Sequence, residues 1–114
     1  MCIRDRPLGH AQIVINLIDF GMNLQEAGDA PRFRHVGSSQ PTGEKMTDGG
    51  YIIFENGFDL NEIAKIKNIG HKVVNKNEDN YMKGAFGGYQ AIMKKDGVLY
   101  GASESRKDGH ASGY

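Results

Sequence analysis

Residues 9–35 read GHAQIVINLIDFGMNLQEAGDAPRFRH, and this stretch decides how the rest of the chain is read. Ile13, Val14, Ile15, Leu17, Ile18 and Phe20 cover more than one helical face. A helix apolar nearly all round belongs in an interior, so the pattern predicts a buried helix over 11–20. Gly21 supplies its left-handed exit. Asn23 then suits the N-cap of a short second helix, and Glu26 three residues on can complete a capping box. That helix stops before Pro31, because the residue ahead of a proline is pushed out of the α region.

Working outward, the sequence continues as short, well-punctuated pieces. RFRHV is a candidate strand and GSSQPTGEKMTDGG a loop. YIIFE, β-branched and aromatic, reads as a strand. Asp59 is a candidate N-cap, with Glu62 placed for a capping box and Phe58 for a staple onto Ile63. Leu60, Ile63, Ala64 and Ile66 form its apolar stripe, and Gly70 ends the helix. HKVV is a short strand and NKNEDNYMKGAFGG a second loop. In YQAIMKKDGVLYGAS the Asp-Gly pair predicts a tight hairpin turn. The class is α+β. The first helix is more apolar than so few partners would cover, which suggests that a larger body belongs against it.

Bulk properties narrow the function. At 114 residues the chain is long enough for one ordinary domain. A formal net charge of zero argues against long-range steering of nucleic acid or an anionic membrane. No apolar run approaches the ~18 residues of a membrane span. One cysteine, Cys2, precludes an internal disulfide, and the four histidines are too scattered for zinc spacing. Neither metal nor cofactor is expected. Sixteen glycines, about twice the usual ~7%, make the second half turn-rich. MCIRDR at residues 1–6 lacks the apolar stretch of a secretory signal and reads as a tail outside the fold.

Several constellations look chemical. Ser103, Asp108, His110 and Ser112 hold triad residue types, but they crowd one Gly-rich terminal segment, whereas triads are assembled from separate elements. The plainer reading is a tail anchored by Arg106, whose planar fork can hold a carboxylate or several carbonyls. GAFGGYQ precedes a strand, whereas a phosphate loop leads into a helix. His10 and His35 read as hydrogen-bonded structural histidines. His71 and Lys72 can favour the preceding helix C-terminus, and KIKN is a solvated face. Asp19, within an apolar helix, calls for a structural ion pair with Arg32 or Arg34. None of these compels an activity.

The order of the motifs adds what spacing lacks. DFGMN at 19–23, APR at 30–32, GHKV at 70–73 and GASESR at 101–106 before a terminal Gly113-Tyr114 resemble the C-terminal end of γ-glutamyltranspeptidases. The resemblance runs from Pro7 to Tyr114. It implies part of the αββα sandwich of N-terminal-nucleophile hydrolases. It also implies a self-cleaved precursor whose new N-terminal Thr attacks γ-glutamyl amides such as glutathione, with its α-amine as base. In the family that Thr, the glutamyl pocket and the oxyanion Gly pair all lie upstream of this helix, and the Gly pair would fall just before Pro7, where the chain has MCIRDR. The expectation is therefore a C-terminal portion of the small subunit, inactive alone, which needs the rest of its polypeptide as partner and has no catalytic residue of its own. Asp19, Arg32 and Arg106 are the candidate structural or maturation supports, Arg32 and Arg106 each within a matching motif and expected to aid folding and self-processing. By resemblance the family is often periplasmic or extracellular. Two other readings stay open. One is a free-standing module that binds through the apolar helix, and the other is part of a related acylase acting on other side-chain amides.

Overall fold

A computed structural model describes residues 5–37, 45–74 and 86–113. Residues 1–4, Cys2 among them, 38–44, 75–85 and Tyr114 lie outside the described residues. The chain divides into two compact units, one from its two ends (Met1–Ala30 with Lys83–Tyr114) and one from Pro31–Met82.

In the first unit, α1 spans Asp5–Ile18 and α2 spans Leu24–Asp29. The helix thus includes Asp5 and Arg6, two of the residues read from sequence as outside the fold. Asn23 and Glu26 form the expected capping box, with both reciprocal bonds made. Ala30, ahead of Pro31, has ψ 143° and ends α2 as the proline requires. A hairpin follows from β4 (Gln90–Lys95) and β5 (Val98–Ser103). Asp96 (φ 51°) and Gly97 (φ 80°) make the tight two-residue turn between the paired Lys95 and Val98. The core of this unit is Leu24, Tyr89 and Ala102, with Ile13, Leu17, Ala91 and Met93 packed against it.

That packing corrects the expectation of a buried first helix. Only the Ile13–Leu17 stripe, one turn apart, meets the core. Val14 (49% exposed), Ile15 (43%), Ile18 (75%) and Phe20 (69%) face outward. His10 is also exposed. On the hairpin, Ile92 and Leu99 are also exposed.

In the second unit β1 (Phe33–Val36) pairs antiparallel with β2 (Tyr51–Phe54), and β2 pairs parallel with β3 (Val73–Val74). Helix α3 (Leu60–Asn68) lies between β2 and β3 in sequence. Its C-terminus is a Schellman motif: the Gly70 N–H donates to the Lys67 carbonyl and the His71 N–H to that of Ile66, with Gly70 at φ 102°. Its N-terminus differs from expectation. Asp59 caps the Asn61 N–H at 2.8 Å, while Glu62 pairs with Lys65 instead of reaching back. Of the four stripe residues only Ile63 is buried, and Leu60 is 74% exposed. Phe58 meets Phe54 edge to face, ring centroids 4.9 Å apart.

Candidate functional site

The densest polar arrangement in the first unit is where the tail after β5 meets the end of α2. Residue alternation along β5 sets it up. Ala102 faces the core, so Glu104, two residues on, points the same way and is buried (2% exposed). The Glu104 N–H donates to the Tyr89 carbonyl, which continues the hairpin pairing by one step.

Arg106 then turns back over α2. Its Nη1 donates to Glu104 Oε1 at 2.7 Å and to the Gly28 carbonyl at 3.0 Å. Its Nη2 donates to the carbonyls of Asp29 (2.7 Å) and Ala30 (3.2 Å). The last carbonyls of any helix lack intrahelical partners, and one planar cation satisfies three of them here. The positive charge also suits the negative end of the helix.

Three further contacts fix this junction. Ser105 Oγ donates to Asp29 Oδ1 at 2.6 Å, and Gln25 Nε2 donates to Asp29 Oδ2 at 2.9 Å. These bonds, the Ser105 hydroxyl first, hold the Asp29 carboxyl below the usual carboxylate range, and Arg106 adds to the effect. Gln25 also meets the Ser103 main chain. Tyr89 OH donates to the Leu24 carbonyl at 2.9 Å, and burial pushes that phenol above its usual value. Its ring packs against Gly28, where any Cβ would overlap it.

The residues singled out from sequence do not gather into one site. Arg106 is the clamp just described. Arg32 is buried in the second unit, where Nε and Nη2 donate to the two Glu55 carboxylate oxygens at 3.3 and 3.2 Å. The Arg32 N–H also donates to Glu55 Oε2, and the Glu55 N–H to the Arg32 carbonyl. Its carboxylate partner is thus Glu55. Asp19 lies beyond the end of α1 and is exposed, so the buried carboxylate that called for Arg32 or Arg34 is not there. No triad assembles in the tail: Ser103 Oγ accepts from Gln90, and Asp108, His110 and Ser112 lie exposed. His35 Nε2 bonds the Gly49 carbonyl, as a structural histidine does, and Lys72 pairs with Asp48. Among the described residues no cluster of His, Cys, Asp or Glu could hold a metal, and no helix is long and apolar enough to cross a membrane.

Sequence reading missed Gln25, Asp29, Tyr89 and Glu104. Glu104 alone carried a local signal, the two-residue alternation from Ala102.

The fold is shared with solved γ-glutamyltranspeptidases and with an acylase, the N-terminal-nucleophile hydrolase class. The γ-glutamyltranspeptidase family model matches residues 5–114, and the chain belongs to that family. It is 36% identical over 105 residues to the glutathione hydrolase proenzyme of Escherichia coli K12, which covers 90% of this chain and 15% of that protein. A cephalosporin acylase from Bacillus halodurans is 33% identical with a TM-score of 0.70, over 93% of this chain and 18% of its own. An acivicin-inhibited γ-glutamyltranspeptidase, 23% identical, shares the fold with a TM-score of 0.61 over 90% of this chain and 48% of its own. The chain thus spans about 15% of the length of the curated relatives it matches.

Proposed function

We propose that this chain is the C-terminal part of the small subunit of an enzyme that transfers or hydrolyses the γ-glutamyl group of glutathione and related amides. In that enzyme a Thr freed by self-cleavage attacks the γ-carbonyl, and its own α-amine takes the hydroxyl proton. Backbone N–H groups hold the oxyanion, and the acyl-enzyme then passes to water or an amino acid. The described residues contribute no nucleophile to this chemistry. Their part is to seat the C-terminal tail so that the precursor folds to a cleavable state.

The observation that carries the reading is Arg106 closing three carbonyls at the end of α2, the last of them Ala30, the first residue of the Ala-Pro-Arg motif. In the acivicin-inhibited relative the C-terminus has critical roles in autoprocessing and catalysis, which supports the same assignment for this tail. The exposed apolar side of α1 fits a surface made to be covered by the remainder of the enzyme.

The test compares the polypeptide containing this segment and its upstream sequence with the 114-residue chain alone. On a chromogenic γ-glutamyl anilide the longer polypeptide is active and the chain alone is not. Activity of the chain alone, or none in either, contradicts the proposal. The likeness to the cephalosporin acylase favours one second reading, an acylase of other side-chain amides. Turnover of a β-lactam side-chain amide with no turnover of the anilide would establish it instead.

A further inference from the structure

Among the described residues β5 pairs with β4 along one edge, and the neighbour of its other edge at Ser103 is a side chain. Gln25 Nε2 donates to the Ser103 carbonyl at 2.9 Å, and the Ser103 N–H donates to Gln25 Oε1 at 3.3 Å. Two bonds to the N–H and C=O of one residue are what an adjacent antiparallel strand would make. The second Nε2 hydrogen goes to Asp29 Oδ2, so both amide donors and the amide oxygen are used. Gln25 lies one turn before Asp29 on α2 and 78 residues from Ser103 in sequence.

We propose that Gln25 is the positioning residue that sets the register of the β4–β5 hairpin and its tail against α2, standing in for a β-strand at the outer edge of β5. Register matters because the tail is read residue by residue. With Ser103 fixed, Glu104 enters the core, Ser105 reaches Asp29 and Arg106 reaches the three carbonyls. A slip of one residue turns every alternating side chain to the opposite face, puts Ser105 where the buried carboxylate belongs and leaves Glu104 outside. The consequence for self-processing rests on the maturation role proposed above, whereas the register claim rests on geometry alone.

The groups facing the Gln25 amide are Asp29 on α2, the Ser103 main chain, Ser105, and Arg106 behind Asp29. Replacing Gln25 by Glu keeps size and shape, removes both donors at neutral pH and sets two carboxylates side by side. Such a pair shares a proton at higher pH than either alone, and the protonated acid regains a donor. Gln25→Glu is therefore a reversible version of the defect.

The experiment is amide hydrogen exchange at Ser103 to Arg106 in the parent polypeptide, corrected for intrinsic rates, from pH 8 to pH 5. The expected result is a fall in protection of about tenfold or more in Gln25→Ala at every pH. In Gln25→Glu the loss at pH 8 recovers as pH falls, while the natural protein stays level. Wild-type protection in Gln25→Ala, or a Gln25→Glu profile parallel to the natural one, overturns the register role. Lost protection with normal self-cleavage supports the register and overturns instead the maturation reading on which its consequence depends.

Discussion

Arg106 Nη1 donates to Glu104 Oε1 at 2.7 Å, and the Glu104 side chain is wholly shielded from solvent while that of Arg106 is 32% exposed. The pair is therefore asymmetric. Removing the exposed partner takes a donor from a charge in the interior, whereas removing both charges leaves neutral atoms. Arg106→Ala is expected to cost about 2–3 kcal/mol, the low side for a broken buried pair because Arg106 is partly solvated. Arg106→Ala with Glu104→Gln is expected to cost less than Arg106→Ala alone. Chemical denaturation of the four forms in the parent polypeptide checks this, and simple additivity would refute it.

Gly28 carries its own prediction. A methyl group there overlaps the Tyr89 ring, which is fixed by its bond to the Leu24 carbonyl and cannot swing aside without losing it. Gly28→Ala is expected to destabilise by about 1–3 kcal/mol, although Ala is the better helix former. Tyr89→Ala in the same background removes the obstruction, so the added cost of Gly28→Ala falls to near zero. Thermal unfolding of the two variants and their combination measures it.

At the second unit, Arg32→Lys keeps the charge but loses the fork that meets both Glu55 oxygens. We expect a loss of about 1–3 kcal/mol, since a buried carboxylate is left short of a donor. Asp19→Asn, at an exposed position, is expected to change stability by less than about 0.5 kcal/mol. Denaturant midpoints separate the two, and equal effects would contradict the placement of Arg32 and Asp19.

Two titrations bound the pH range of the docked tail. The Asp29 carboxyl lies below its unfolded value of 3.8, so its contribution is present above that value and fades as pH falls through the folded one. The Tyr89 phenol lies above 10.0, so its contribution is present below that value and fades as pH rises through the folded one. Asp29→Asn removes the acid part of this dependence and Tyr89→Phe the alkaline part. Unfolding free energy measured from pH 2.5 to 11 in each variant shows whether the matching limb flattens.

What could be read from the chain was local. Asn23 and Glu26 are three residues apart, Asp96 and Gly97 are adjacent, and Pro31 acts on Ala30. In each case the structure follows the reading because backbone geometry decides it. The Asp59 capping box failed on an equally local competition, since Lys65 lay within reach of Glu62. The α1 error had another origin: apolar residues report that a face is meant to be covered, not that this chain covers it. The clamp was half legible. Arg106 stood out by type and motif, but Gln25 meets Ser103 across 78 residues and Tyr89 meets Leu24 across 65, separations for which spacing carries no signal. Motif order supplied the family, and the fold joins two of the motifs, the end of α2 at Ala30 receiving Arg106 of the Gly-Ala-Ser segment.

The central claim is that tail docking serves self-processing. Its most direct test is the time course of self-cleavage of the parent precursor carrying Arg106→Ala, followed on a denaturing gel beside the natural sequence. The account predicts that precursor accumulates and two-subunit enzyme forms at least about tenfold more slowly. It also predicts that the fraction which does mature keeps its KM for the γ-glutamyl donor. Cleavage at the natural rate and yield would contradict it.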